Sequence, residues 1–357
     1  METNTPGTGH HSAPAYELNK LVRLALPILT AQLAQMAMVL VDTLMAGRVS
    51  AVDLAGVALG GALMWPMMMF FMGVLQAVTP AVSQLNGAGR QREVGEVIRQ
   101  ALWLAGFGAG LLIAFILNAE IIYAFMVIDP AAIPVSVGYL AATAWGVPAL
   151  MGYFVLRFLC EGLGFTRPAM FIAVSALLLK IPLNYIFIYG AFGIAPMGGV
   201  GCGVATAIVM WLELCLILVV VSQSRFESTG WRQQFSWPDW QPMRRLIAVG
   251  IPIGATMFFE MALFAMVALL LGRFGADVVA AHTIAINLGG LTFMFPLALG
   301  MAATIRVGFN VGAGKFDAAA QVAQLAVWLT LGVAVLLGAF VVSARHFLET
   351  FASDRSH

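Results

Sequence analysis

Nine long apolar stretches constrain what this chain can fold into more than any other feature of its sequence. Each can supply a helix of about 20 residues, the length that crosses the hydrocarbon core of a bilayer. Backbone groups cannot stay unpaired in lipid, so helices are the expected structure. We therefore predict an all-α membrane protein with spans at residues 21–46, 54–82, 97–119, 133–158, 168–189, 200–222, 246–271, 279–304 and 320–343.

The composition agrees with this class and excludes others. Hydrophobic residues make up 61% of the chain and charged residues 10%, and the mean hydropathy is +0.93. Soluble domains have about 45–50% apolar and about 25% charged residues. The net charge is only +1 and the basic residues are scattered, so we exclude nucleic acid as a partner. The three cysteines lack the spacing of metal ligands, and we expect no metal or cofactor site from them.

The sequence repeats itself at a spacing of 225 residues. The segment NGAGR at 86–90 returns as VGAGK at 311–315, and Pro27 returns as Pro252. The copies run in the same direction, so each should form a helical bundle of the same topology, packed on the other around a shared interface. The first copy contains six spans and the second only three of an expected six. We therefore expect the chain to be truncated at its C-terminus.

The repeat predicts four parts. Residues 1–16 are polar and contain no lysine or arginine, which indicates a disordered tail rather than a signal peptide. Residues 17–222 form the first six-helix lobe, 223–245 a linker rich in tryptophan and proline, and 246–357 the partial second lobe.

The basic residues predict the orientation in the membrane, because lysine and arginine accumulate in cytoplasmic loops. With the N-terminus and the linker in the cytoplasm, thirteen of the 18 basic residues, including Arg157, fall on that side, so we predict this orientation.

Polar side chains within the spans are the candidate functional residues. Glu260 lies near the middle of the seventh span, where an ionised carboxylate is costly unless it faces a cavity, a cation or a proton. We interpret it as a cation or proton site that could hold Na⁺, and not as a protonated packing residue. Its counterpart in the first copy is Gln35. Asp42 lies seven residues after Gln35, almost on the same helix face, and either lines the same cavity or reaches interfacial water.

Lys180 and Asn184 share one face of the fifth span. A lysine in the membrane needs a partner, and counting residues from the span ends puts two acids within its reach, Asp42 and Glu213. We predict an ion pair with Glu213 and keep Asp42 as the alternative partner. The pair either couples transport or only fixes helix packing. His282 and Asn287 of the eighth span either line a pathway or make hydrogen bonds between helices.

Five motifs stand out in the sequence: VDTLMAG at 41–47, QLNGAGR at 84–90, IPLNYIFIYG at 181–190, GGVGCGVATA at 198–207 and FFE at 258–260. Together they resemble the motifs of the multidrug and toxic compound extrusion (MATE) family, in its NorM-like bacterial branch. The resemblance implies twelve spans in two six-helix bundles, and export of cationic and amphipathic drugs driven by inward Na⁺ or H⁺. By this resemblance, Glu260 corresponds to the cation-binding glutamate of the family's second lobe. Asp42 and the Asn184 region correspond to first-lobe residues that are coupled to cation or proton binding.

The resemblance also predicts a non-enzymatic, multi-pass protein of the bacterial inner membrane that contacts the lipid bilayer, and we expect it to act as a monomer. Lys180 replaces an uncharged residue that is more usual in the family, and Glu213 is an acid where the family normally has none. Two alternatives remain open: a flippase of related fold that moves lipid-linked precursors, and a non-transporting remnant. An intramembrane enzyme would need a motif such as H-E-x-x-H, which the sequence lacks.

Overall fold

The structure is a computed structural model that describes residues 14–124, 130–271 and 276–354. Throughout these ranges the regular secondary structure is helical. The helices are α1 Pro14–Gly47, α2 Ala51–Gln76, α3 Val78–Gly87, α4 Gln91–Leu117, α5 Ala119–Ala124, α6 Ile133–Ala144, α7 Val147–Gly162, α8 Arg167–Tyr189, α9 Gly199–Val221, a 3₁₀ helix Ser224–Thr229, α10 Trp240–Leu271, α11 Ala276–Gly312 and α12 Phe316–Asp354.

The helices confirm the nine predicted spans within the described part of the chain. Eight are long and apolar enough to cross a membrane, with α2 and α3 together forming one of them, and α6 with α7 supplies a ninth as a pair bent by 50°. The bend lies at residues 145–146, just before Pro148. Proline lacks the N–H that would bond to the preceding turn, which explains the break.

The duplication is visible in the helix boundaries. Helix α1 corresponds to α10, the pair α2 and α3 to α11, and α4 to α12, and the boundaries of α11 lie 225 residues after those of the α2–α3 pair. The repeated glycines 89 and 314 both have φ of +71°, and the following amides bond back to Leu85 and Asn310 at 2.9 Å. This is the helix-ending turn that favours glycine, because a side chain disfavours left-handed backbone. The motif NGAGR therefore ends a helix.

The two copies meet about a pseudo-two-fold axis. A β-carbon on Gly87 would collide with the carbonyl oxygen of Phe309. In the same way, a β-carbon on Gly312, the counterpart of Gly87, would collide with the carbonyl oxygen of Gln84, the counterpart of Phe309. Gly308 lies directly against Ser83, which occupies the equivalent position, so the axis passes between them. The end of the bundle that carries these turns, called the Gly87 end, is therefore closed by backbone-to-backbone packing.

A buried ion pair also joins the copies near this end. Arg306 of α11 donates to both carboxylate oxygens of Glu17 of α1, with Nη2 2.7 Å from Oε1 and 2.8 Å from Oε2. Both side chains are largely buried.

Helix α10 of the second copy packs along α2 of the first, where Gly254 faces Gly73. The packing thus interleaves the copies.

The predicted linker 223–245 is ordered over much of its length and is bound to the first copy. It contains the 3₁₀ helix, and α10 begins within it at Trp240. Residues 230–239, the docking segment, lie on α4, where Gln100 donates to the carbonyl of Trp237 at 2.9 Å and accepts from the amide of Asp239 at 2.9 Å. Of the predicted tail 1–16, residues 1–13 lie outside the described residues and the remainder belongs to α1.

An apolar groove of about 550 Å³ runs between α11 and α12 of the second copy, and Thr304 and Val307 are among its lining residues. In the first copy the equivalent residues, Thr79 and Val82, are covered by Gly162 of α7. The same surface is thus packed against a helix in one copy and open in the other.

Candidate functional site

A buried polar cluster lies inside the first lobe, where α1, α8 and α9 meet. Lys180 Nζ is 3.1 Å from Asp42 Oδ2, and Asn184 Nδ2 donates to Asp42 Oδ1 at 2.7 Å. Lys180 also donates to Thr206 Oγ1 at 2.5 Å, and Thr206 in turn donates to the carbonyl of Cys202 at 2.7 Å. We call Asp42, Lys180, Asn184 and Thr206 the Asp42 cluster. The structure therefore brings together three residues singled out from the sequence.

The predicted ion pair between Lys180 and Glu213 is wrong, because the lysine pairs with Asp42. The spacing of Lys180 and Asn184 on α8 explains this choice. The two side chains lie one turn apart on a single face, so both reach the carboxylate of Asp42, one at each oxygen. Thr206 occupies a second donor of the ammonium. All four side chains are buried, so the pair is shielded from water.

The positions of these groups along the bundle follow from the helix ends. Tyr189 at the end of α8 donates to Met45 of α1 at 2.9 Å, and the amide of Gly199 at the start of α9 donates to Asp53 at 2.6 Å. These contacts gather the end of α1 and α8 and the start of α9 at one end, called the Gly47 end. At 1.5 Å per residue, Asp42 lies about 8 Å from that end, Lys180 about 14 Å and Glu213 about 21 Å.

Glu213 lies deeper than the Asp42 cluster and has no direct partner. Its side chain is 3% exposed, and Oε1 forms no hydrogen bond with any described residue. Two cations act on it electrostatically, Arg157 of α7 and Lys180 of α8. It is thus an acid that faces two positive charges and bonds to neither.

Arg157 and Glu161 form a second buried pair, which the sequence analysis missed. Arg157 had been assigned to the cytoplasmic side of the membrane, but its side chain is buried within α7, where Nε lies 2.7 Å from Glu161 Oε1. Gln32 of α1 accepts a longer bond from Arg157 at 3.4 Å. Opposite charges four residues apart on one helix were the available signal, since such spacing brings the two side chains together.

The candidate residues of the second lobe lie outside these clusters. Glu260 is exposed on α10, next to the exposed Phe259, and has no hydrogen bond or ion pair with the described residues. Its counterpart Gln35 is half-buried on α1. On α11, Nε2 of His282 is buried and forms no hydrogen bond with the described residues, and Asn287 is exposed. The structure therefore shows an accessible carboxylate in the second copy and a buried ion pair in the first.

Among the residues that the structure describes, no group of three or more His, Cys, Asp or Glu is arranged to hold a metal ion. Two pairs of a basic and an acidic side chain are buried inside the first lobe, Lys180 with Asp42 and Arg157 with Glu161. Such pairs respond to protons, because protonation of the carboxylate removes the attraction between the partners.

Comparison with known proteins agrees with the repeat and the fold. The MatE family model matches residues 27–186 and again 252–356, so its two matches begin at Pro27 and Pro252. The chain is 44% identical over 334 residues to a protein of Yersinia enterocolitica named Multidrug resistance protein MdtK, covering 93% of this chain and 73% of that one. It is 45% identical over 323 residues to the protein of the same name from Yersinia pestis, covering 90% and 70%.

Solved structures give the same result. The MATE transporter NorM-NG, solved in complex with rhodamine 6G and a monobody, is 30% identical with a TM-score of 0.68, over 90% of this chain and 68% of that one. The eukaryotic MATE transporter AtDTX14 has a TM-score of 0.84 at 18% identity, over 93% and 74%, and supports the fold alone. A chain with this duplicated helical fold and these two family matches belongs to the MatE family of membrane transporters.

Proposed function

We propose that this protein exports cationic and amphipathic drugs by antiport against an inward flow of Na⁺ or H⁺. The observation that carries the proposal is the 44% identity, over 93% of the chain, to a relative named as a multidrug resistance protein. The complex of NorM-NG with rhodamine 6G supports small organic molecules as the substrate class. Methionine and phenylalanine are frequent in both copies, 20 and 24 residues in all, and such flexible and aromatic side chains suit ligands of differing shape.

Two sites are proposed to bind the coupling ion, one in each copy. In the first, Asp42 binds a proton and thereby releases Lys180, so the ion pair at 3.1 Å is the element that switches. In the second, the exposed carboxylate of Glu260 binds Na⁺ or H⁺. Gln35, His282 and Asn287 line the pathway between the copies, while Asn184 and Glu213 couple the first site to it. An intramembrane acid is a functional candidate because its burial as an ion is costly.

The arrangement of the copies supports an exchange between two open states. The Gly87 end is closed by direct packing of glycine against backbone, and the Arg306–Glu17 pair spans the same end. With the N-terminus in the cytoplasm of a bacterial inner membrane, this end faces the cytoplasm. The described state is then closed toward the cytoplasm, and drug uptake from that side requires the glycine contacts to separate. We propose that a single chain is sufficient for this cycle.

The test is transport by purified protein in liposomes with an imposed pH gradient or an imposed Na⁺ gradient. A fluorescent lipophilic cation such as rhodamine 6G should accumulate against its own gradient under one of the two conditions, which identifies the coupling ion. Glu260→Gln and Asp42→Asn should each abolish this accumulation. Glu227→Gln, at an exposed position of the 3₁₀ helix, serves as the control and should not change it.

Absence of accumulation under both gradients, with folded protein in the liposomes, would refute the proposal. Accumulation that survives both Glu260→Gln and Asp42→Asn would leave drug export standing but refute the assigned ion sites.

A further inference from the structure

A second cluster of buried charge lies in the first lobe, and Glu213 is its one member that the proposed function uses. It consists of Arg157, Glu161 and Tyr153 of α7 and Glu213 of α9, and we call it the Arg157 cluster. Each of these side chains is at most 3% exposed. Helices α7 and α9 pack closely here, with Gly152 against Leu214. Gly162 at the end of α7 lies on α3, so the cluster lies between the Asp42 cluster and the Gly87 end.

The charges of the two clusters do not balance if all are ionised. Asp42, Glu161 and Glu213 carry three negative charges, whereas Lys180 and Arg157 carry two positive ones. Both cations are engaged, Lys180 with Asp42 at 3.1 Å and Arg157 with Glu161 at 2.7 Å. Glu213 is the carboxylate that has no hydrogen-bond or ion-pair partner among the described residues. Burial of an unpaired ionised carboxylate is strongly unfavourable, whereas a protonated one is neutral.

Several polar atoms of the Arg157 cluster lack a hydrogen bond to described residues, as expected if one carboxyl group carries a proton. Three oxygen atoms form no hydrogen bond with described residues: the hydroxyl of Tyr153, Oε2 of Glu161 and Oε1 of Glu213. Tyr153 lies close enough to Arg157, Glu161 and Glu213 for their charges to act on it. Buried polar atoms are normally paired, and such exceptions call for an explanation. A protonated Glu213 supplies an O–H donor, which can satisfy one of these acceptors.

We propose that Glu213 is a second proton-binding site of the first lobe, and that Lys180 links it to Asp42. In the state described here Lys180 is paired with ionised Asp42, and Glu213 carries the proton. When Asp42 accepts a proton from the Gly47 end, Lys180 loses its partner and pairs instead with Glu213, which releases its own proton toward the Gly87 end. One proton enters and one leaves, so the charge inside the lobe is unchanged.

The placement of the three groups suits this exchange. Measured from the Gly47 end, Lys180 lies about 6 Å deeper than Asp42 and about 7 Å less deep than Glu213. Its charge acts on Glu213 even while it is bonded to Asp42. Helix α8 presents one group to Glu213, Lys180. Helix α7 presents three others: Arg157, its partner Glu161, and Tyr153. The proposal deepens the proposed antiport and rests on it for its direction of proton flow.

The test is infrared spectroscopy of purified protein at neutral pH, which separates a protonated carboxyl group from a carboxylate. Protein that carries Glu260→Gln, so that the proposed ion site of the second copy adds no band, should show the carbonyl band of a protonated side chain, and adding Glu213→Gln should remove it. Asp42→Asn should also remove it, because Lys180 then pairs with ionised Glu213. Adding Lys180→Met to Asp42→Asn should restore the band. Glu227→Gln is the control and should leave the band in place.

A band that survives Glu213→Gln, or one that persists in Asp42→Asn, would overturn the proposal. So would a band that appears only after Na⁺ is removed, since Glu213 would then belong to a metal-ion site. If Asp42→Asn does not fold, thermal unfolding of two other variants decides. Glutamine resembles a protonated glutamate, so Glu213→Gln should leave the melting temperature unchanged while Glu161→Gln lowers it; equal lowering would overturn the proposal.

None of these measurements involves transport. A protein that shows the Glu213 band but moves no drug would refute the proposed function and leave the proton site standing.

Discussion

The ion pair between Lys180 and Asp42 predicts a strong energetic coupling that a double-mutant cycle can measure. Both side chains are buried, and the charged atoms are 3.1 Å apart. Lys180→Met leaves Asp42 with Asn184 and the Cys202 thiol as neutral donors, and removal of one partner from a buried ion pair costs about 3–5 kcal/mol. Asp42→Asn leaves Lys180 with Thr206 and the nearby Glu213. It should therefore cost less, because Glu213 can ionise and replace the lost charge.

The two substitutions together should cost about 1–3 kcal/mol less than the sum of the single costs, because the double variant contains no stranded charge. The assay is reversible unfolding of the purified protein in mixed micelles, with helix content as the signal. The matched control is the cycle of Lys180→Met with Glu213→Gln, which should be additive within about 0.5 kcal/mol, since those side chains are not bonded. Additivity in the Asp42 cycle, or strong coupling in the Glu213 cycle, would refute the assigned pairing.

Three further predictions concern the contacts between the copies and the linker. Arg306→Met removes the partner of Glu17 and should favour opening of the Gly87 end. Cysteines introduced at that end should then react faster with a thiol label. An unchanged labelling rate would show that the ion pair does not hold this end closed. Gly312→Ala should destabilise the protein by about 1–3 kcal/mol, because a β-carbon there collides with a carbonyl oxygen of α3. Gly106 has open space around it, so the control Gly106→Ala should be neutral or should stabilise the protein by about 1 kcal/mol. Gln100→Ala removes two hydrogen bonds to the docking segment and should accelerate protease cleavage within residues 230–239, and equal cleavage rates would contradict the docking.

The sequence alone determined the span count and the repeat. Hydropathy is a local property that adds up along the chain, and lipid permits only helices for stretches of that length. The return of NGAGR as VGAGK, at the same spacing as other repeated residues, predicted two bundles of the same topology, and the matching helix boundaries confirm it. Even the ends of these helices were encoded locally, since Gly89 and Gly314 adopt the same left-handed turn.

The tertiary structure decided which charged groups meet. Counting residues placed Asp42 and Glu213 both within reach of Lys180, because depth along a helix says nothing about the direction in which a side chain points around it. The rotation of α8 against α1 brings Lys180 and Asn184 together onto Asp42, and leaves Glu213 unpaired. That selection depends on the packing of α1 against α8 and α9, which are far from it in sequence.

Arg157 illustrates the same limit. Loop charge rules assigned it to the cytoplasmic side, because a basic residue near the end of an apolar stretch usually reaches the interface. In the structure α7 is packed against α3 and α9 near this point, so Arg157 is buried and bonds to Glu161 instead of reaching water. Local sequence determined that α7 would be a helix, but only the surrounding helices determined that its charges would be enclosed.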